Sequence, residues 1–293
     1  MLLPLDNSPA ESQTIRVLPI AAALGAEVEG VDLRHVTAEQ FSEMSSALFR
    51  HGLLVFRDQA LSHGDQDALT RRFGEHGVDA FTTGVPEYRH VAPVLREPGS
   101  GQQVFFGEGW HTDSPFLPQP PSISMLRSVE VPPWGGDTLF TSTRQAYESL
   151  SDGMKDLLLG CRTLFSRTHI SRNQVLWKEN TDLPYEPIPV ESDLVGARSH
   201  PLVRTHPVTG HRALYLDGTY SVGIDGLRRA EAEPVLRFLL DHITSPEFHC
   251  RIRWTPNMLA IWDNRLVLHR AFSDPSSHRR EMYRTTVLGE VPS

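Results

Sequence analysis

The chain has 293 residues, 39% of them hydrophobic, and 28 basic against 36 acidic side chains give a net charge of −8. That balance argues against nucleic acid as the main partner, and the longest apolar runs, such as Gly52-Leu53-Leu54-Val55-Phe56, are too short to span a bilayer. Two cysteines, Cys161 and Cys250, and no basic-then-apolar leader pattern at the start argue against a disulfide framework and fit a reducing cytoplasm.

Residues 1–14, rich in Pro, Ser, Asn, Glu and Gln, are expected to form a flexible tail ahead of a single domain over 15–293. Alternation over 24–33 predicts a strand and turn. Thr37-Ala-Glu-Gln40 is a capping-box pattern, and Phe41, Met44 and Leu48 then fall on one helical stripe. A buried strand at Leu53 to Phe56 and a helix over 65–73, capped by Ser62, follow. From about 122 the texture turns to strands, expected at 122–129, 138–141, 202–205, 213–216, 250–254, 258–262 and 284–288. Turn signals such as Pro132-Pro133, Gly135-Gly136 and Thr255-Pro256-Asn257 punctuate them. A helix is expected over 147–159. Another is expected within 227–243, with Leu236, Leu239, Leu240 and Ile243 as its stripe and its regular part starting near Pro234. Residues 170–200 read as a long loop or lid. Many short strands with few helices favour an antiparallel sandwich or barrel with helical cover.

The chemistry concentrates in His111-Thr112-Asp113 and a distant His269. Two imidazoles and a carboxylate can occupy one face of a six-coordinate ferrous ion and leave three positions open. The pattern His-x-acid is common by chance: 14 His and 36 acidic residues make one or two such triplets the expectation, and there are two. Context separates them. His63-Gly64-Asp65 reads as a capped helix start, whereas His111 lies between Trp110 and Phe116 in a stretch that approaches through Gly109 and leaves through Pro115. Downstream of His269 come Arg279, Arg280 and Arg284. A 2-oxoglutarate cosubstrate would need such a guanidinium, because a planar fork of donors grips a carboxylate.

The chain resembles the TauD/TfdA (taurine dioxygenase) family of Fe(II)- and 2-oxoglutarate-dependent enzymes. The resemblance runs from Gly25-Ala-Glu-Val-Glu-Gly-Val-Asp32 through Trp110-His-Thr-Asp113, Gly135-Gly-Asp-Thr138, His200-Pro-Leu-Val-Arg-Thr-His-Pro207 and Trp262-Asp-Asn264 to His269-Arg-Ala271. The phenoxypropionate-cleaving branch is the most similar, through Cys250-Arg-Ile-Arg-Trp254 and Arg284-Thr-Thr286. The resemblance implies a mainly β fold, a double-stranded β-helix (jelly roll) with flanking helices. It assigns iron to His111, Asp113 and His269, and the far carboxylate of 2-oxoglutarate to Thr138 and Arg280. It implies dioxygen as co-reactant and succinate and CO2 as products. Arg284 would meet an anionic group on the prime substrate, and Tyr220, Phe81 and Val85 would be pocket walls. The expected partner is thus a small carboxylate, sulfonate or sulfate, with no nucleic acid or membrane, in a cytoplasmic homo-oligomer.

Gly107 departs from the family, since the taurine enzymes carry an amide side chain there; taurine itself is not expected as substrate. Two rival readings remain at this stage. A zinc hydrolase could use the same three ligands with an open position, but would not need Arg280. A jelly-roll binding protein would need no metal triad.

Overall fold

The computed structural model describes residues 5–9, 12–98, 107–167, 197–272 and 277–293. It begins with β1 (Arg16–Pro19), β2 (Ala26–Glu29), α1 (Ala38–His51), β3 (Leu53–Phe56), α2 (His63–Phe73), β4 (Ala92–Arg96), β5 (Pro121–Glu130) and β6 (Thr138–Ser142). Two short helices follow, α3 (Thr143–Glu148) and α4 (Asp152–Leu158), then β7 (Arg162–Phe165), β8 (Arg198–Pro201), β9 (Val203–Thr205), β10 (Arg212–Leu214) and β11 (Ser221–Ile224). The chain closes with α5 (Arg229–Ile243), a 3-10 turn, β12 (His249–Ile252), β13 (Leu259–Asp263), β14 (Val267–Ala271) and β15 (Arg280–Leu288).

Seven strands make one sheet in the order β1-β2-β3-β13-β5-β15-β4, and β12-β6-β14 make a second, with β11-β7-β8 and β10-β9 as smaller sheets. The strand β3 explains how the layers stack. All four of its residues are buried, and alternate side chains go to opposite faces. Leu53 and Val55 join the core shared with Phe140, Cys250, Ile252 and Val267 of the second sheet. Leu54 and Phe56 join the core under α1, with Met44 and Leu48. Strand β13 repeats the division, with Ala260 and Trp262 turned inward and Leu259 and Ile261 turned to the helix side. The inner core thus lies between two sheets and the outer core under helices, the mainly β jelly-roll arrangement expected.

Local chemistry sets the helix ends. Thr37 and Gln40 form the capping box of α1, and Gly52 ends the helix in the left-handed region at φ 71°. Ser62 and Asp65 cap α2 in the same way, so His63 sits at a helix start, as read.

Several expectations need correction. The single helix expected over 147–159 is two, because Ser151 caps a new start by accepting from Met154 N–H. The late helix begins at Arg229, five residues before Pro234, which lies inside it; the Glu231 carboxylate starts it there by accepting the Arg228 backbone N–H at 2.9 Å and the Arg228 side chain at 3.0 Å. Strands β1, β4, β7 and β11 were not read from the sequence. Residues 198–201, placed in the expected lid, form β8 against β7; the rest of that segment, 170–196, lies outside the described residues. In the expected tail, Asn7 is buried, donating to the carbonyls of Ala21 and Gly25 at 2.7 and 3.0 Å.

Candidate active site

His111 and His269 are brought together by backbone pairing. Each donates its N–H to the other's carbonyl, at 3.0 and 2.8 Å, an isolated antiparallel bridge that seats the two imidazoles with ring centres 4.1 Å apart. Asp113 completes the group: its Oδ1 lies 4.0 Å from His111 Nε2 and 3.8 Å from His269 Nε2. One ligating atom from each of the three lies within 4.8 Å of the others, and all three residues are buried.

The surroundings prepare these groups as ligands. His111 Nδ1 lies 2.8 Å from Gly109 O, which fixes the tautomer and leaves the Nε2 lone pair toward the centre. His269 is walled by Trp262 and stacked on Phe140, at ring-centre distances of 4.8 and 5.7 Å. Burial, then the neighbouring His111, pushes its pKa down to about 3, so the ring is neutral at physiological pH. Burial would raise the Asp113 carboxyl, but Arg284, the two histidines and Ser124 outweigh it and keep it below its ordinary range. Imidazole nitrogens and an ionised carboxylate suit a divalent metal such as Fe(II).

Behind Asp113 runs a chain of hydrogen bonds. Trp262 Nε1 donates to Asn264 Oδ1 at 2.9 Å, Asn264 Nδ2 to Ser124 Oγ at 2.8 Å, and Ser124 Oγ to Asp113 Oδ2 at 2.5 Å. Thr112 Oγ1 also donates to the Asn264 carbonyl at 2.9 Å. The Trp262-Asp263-Asn264 motif is thus a brace for the carboxylate. Asp263 is sealed by Arg265 and by His206. Gly107, at φ 86°, accepts from Ala271 N–H at 2.7 Å, and a Cβ there would lie 3.2 Å from His111 Cε1. The amide of the taurine enzymes has no room at this position without displacing the histidine.

Strand β15 carries both arginines. Met282, between them in the alternation, lies in the inner core, while Val287 faces the helices; Arg280 and Arg284 therefore face inward, as even spacing predicts. Arg280 Nε is buried with no hydrogen-bond partner, and among the described residues no carboxylate pairs with it. Burial, then Arg96 across the strand pair, pushes its pKa down to about 10. A Cβ on Gly136 would lie 3.8 Å from Arg280 Nε, which puts the Gly135-Gly136-Asp137-Thr138 turn beside the guanidinium. Thr138 Oγ1 accepts from Trp254 Nε1 at 3.0 Å, leaving its own proton to donate. A half-buried guanidinium that no carboxylate answers among the described residues fits a carboxylate ligand.

Arg284 is placed differently from the sequence expectation of an unanswered cation. Its Nη2 donates to Asp79 Oδ2 at 2.6 Å and its Nη1 to Asp113 Oδ1 at 3.4 Å. Burial would lower its pKa, but these two carboxylates raise it instead. Neither Glu281 nor Glu290 takes this arginine; Glu281 holds Arg279 and Tyr283, and Glu290 holds Arg204. Arg279 is tied to Glu97, Glu130 and Glu281. Phe81 and Tyr220 are buried together with Phe116, whose ring centre lies 5.8 and 5.1 Å from theirs, and Tyr220 reaches the edge of His111 at 6.4 Å. Val85 is half-buried in a turn closed on Val91 and is not part of that cluster.

Sequence reasoning missed Asp79 and Ser124. Ser124 left a trace, as a small polar residue between Ile123 and Met125 in a buried strand; Asp79 left none.

The TauD family model, "Taurine catabolism dioxygenase TauD, TfdA family", matches residues 16–286. The chain belongs to the TauD/TfdA family. It is 32% identical to an alpha-ketoglutarate-dependent sulfate ester dioxygenase of Pseudomonas putida, over 94% of this chain and 90% of that protein. It is also 32% identical to an alpha-ketoglutarate-dependent 2,4-dichlorophenoxyacetate dioxygenase of Cupriavidus pinatubonensis, over 93% and 97%. The crystal structure of AAD-2 in complex with Mn(II) and N-oxalylglycine superposes with a TM-score of 0.78 at 31% identity, over 96% of this chain and 99% of that one. As a TauD/TfdA enzyme, the protein is a dioxygenase that uses Fe(II), 2-oxoglutarate and O2. Among the described residues, no helix is long and apolar enough to cross a membrane.

Proposed function

We propose that this dioxygenase, a single cytoplasmic catalytic domain over 15–293, oxidises a small organic molecule bearing a carboxylate, sulfonate or sulfate. In this reading His111, Asp113 and His269 hold Fe(II), and Thr138 and Arg280 hold the distal carboxylate of 2-oxoglutarate. Arg284 meets the acid group of the prime substrate, with Phe81 and Tyr220 against its apolar part. The observation that carries the reading is the conjunction of the buried triad with a half-buried Arg280 that no carboxylate pairs among the described residues. A hydrolytic zinc site would leave that arginine without a purpose. The relatives named above for a sulfate ester and for 2,4-dichlorophenoxyacetate, both acids, support the substrate class.

When bound, the metal and 2-oxoglutarate together supply an oxidant formed from O2 as the cosubstrate decarboxylates to succinate. The chain's own side chains do the rest. The tautomer of His111 is set by Gly109 O, Asp113 is oriented by Ser124, and the walls of Trp262, Phe140, Phe116 and Tyr220 keep water from the metal face. Arg284, fixed from behind by Asp79, positions the substrate carbon over the open side of the triad. Hydroxylation beside an ether or sulfate oxygen gives a product that fragments on its own.

The test is succinate release from Fe(II)-loaded protein with 2-oxoglutarate and a panel of aryloxy acids, alkyl sulfates, sulfonates and amino acids, each product identified by mass. Turnover of at least one acid, above the uncoupled rate and absent with its methyl ester, supports the reading. Turnover of neutral esters or alcohols alone refutes it.

A further inference from the structure

The prime-substrate side of the site carries a counter-charge that the reading above does not use. Asp79 Oδ2 accepts from Arg284 at 2.6 Å, while Asp79 Oδ1 accepts the backbone N–H groups of Phe81 and Thr82 at 2.9 and 3.0 Å. Those two backbone bonds fix the carboxylate to the segment that supplies Ala80 and Phe81 to the aromatic cluster. The acid is therefore not a surface side chain free to swing away; it is only 15% exposed. The guanidinium is 24% exposed, and its Nη1 and Nη2 each keep one N–H beyond the bonds to Asp113 and Asp79, so donors remain for a ligand.

Formal charge then decides what fits. With Asp113 given to the metal, Arg284 and Asp79 cancel. A plain anion laid on Arg284 meets a guanidinium that Asp79 already answers and lies beside that carboxylate, which disfavours both ionised forms. A ligand that brings its own positive donor avoids this. Its acid group takes the remaining Nη N–H donors of Arg284, and its ammonium takes the remaining lone pair of Asp79 Oδ2.

We propose that Asp79 is a specificity-determining residue, which makes the pocket select a substrate whose acid group is accompanied by a cationic donor and reject plain anions. The proposal rests on the reading of Arg284 as the substrate's anchor. It narrows the substrate from small acids in general to zwitterionic ones.

The experiment measures binding to protein loaded with Mn(II) and N-oxalylglycine, so that no turnover intervenes. The probes are matched pairs, 3-aminopropanesulfonate against propane-1-sulfonate and phenylalanine against 3-phenylpropionate. The wild-type protein should bind the zwitterion of a pair at least tenfold more tightly. Asp79→Asn keeps an oxygen to accept from Phe81 and Thr82 but removes the charge, so plain-anion binding should rise at least tenfold. Adding Arg284→Gln to that variant should abolish the gain. Wild-type protein that binds the plain anion as tightly as the zwitterion overturns the proposal, and so does an Asp79→Asn protein with no gain for either plain anion. Failure to take up Mn(II) and N-oxalylglycine, measured first in both proteins, would instead count against the metal and cosubstrate assignments.

Discussion

Arg280→Gln tests the cosubstrate assignment in two directions at once. In the ligand-free protein Arg280 is a strained charge: it is confined in the inner face of β15, its Nε lacks a partner, and burial and then the neighbouring Arg96 push its pKa down to about 10. Each unit of such a shift corresponds to about 1.4 kcal/mol. The residue retains partial solvent contact, so about 1–3 kcal/mol of destabilisation is a fair reading of the charge in place. Removing it should therefore stabilise the ligand-free protein by about 1–2 kcal/mol in urea unfolding, or leave it no worse. Under the proposed assignment the same substitution deletes a charge-assisted contact to the distal carboxylate of 2-oxoglutarate, worth about 2–5 kcal/mol when one partner is stranded. Calorimetric titration of the Mn(II)-loaded protein should show cosubstrate affinity falling at least tenfold. The extra stability that 2-oxoglutarate confers on the wild type should shrink in step. A variant that is less stable without ligand and binds 2-oxoglutarate normally would show Arg280 to be a structural cation, and the assignment would be wrong.

Three other substitutions follow from the geometry. Ser124→Ala removes the donor to Asp113 Oδ2 and strands Asn264 Nδ2; metal affinity should drop about 10–100-fold in a chelator competition while the fold persists. Gly107→Ala puts a Cβ 3.2 Å from His111 Cε1 at a φ of 86°, so thermal unfolding should show a loss of about 1–3 kcal/mol and metal binding should weaken. A variant as stable as the wild type would mean that the turn relaxes freely. Acid sensitivity should be traceable to His51, whose pKa burial and then Arg50 push down to about 4 and whose Nε2 has no acceptor for a second proton. Because the folded value lies below the unfolded 6.5, its contribution is complete above pH 6.5 and is lost as pH falls toward 4, by at most about 3 kcal/mol. His51→Gln should flatten urea stability between pH 7 and 5, and an unchanged slope would exclude this histidine as the source.

Much of the framework was legible because local rules and tertiary packing agreed. The capping boxes at Thr37 and Ser62, the buried strand β3 and the strands around the triad follow from residue chemistry that the fold does not override. The helix over 147–159 was misread because Ser151 competes for the backbone and starts a second helix, a choice that hydrophobic spacing does not register. The strands β7, β8 and β11 are four-residue pieces that exist through their partners, not through their own alternation. At the site, the ligands stood out through spacing and context, and the inward aspect of Arg280 and Arg284 through strand parity. Asp79 was out of reach, since an acid 205 positions from Arg284 gives no local sign of pairing with it. That contact changed the account most: the sequence implied a lone cation waiting for an anion, whereas the folded chain already answers it with a carboxylate.

The central claim, that the triad and Arg280 serve a 2-oxoglutarate-dependent oxygenation, is tested most directly with oxygen-18 gas. Fe(II)-loaded protein, 2-oxoglutarate and labelled O2 should yield succinate carrying one labelled oxygen, with His269→Ala and Arg280→Gln protein forming little or none. Unlabelled succinate, or no succinate with Fe(II) alongside hydrolysis of a substrate with Zn(II), would contradict the account.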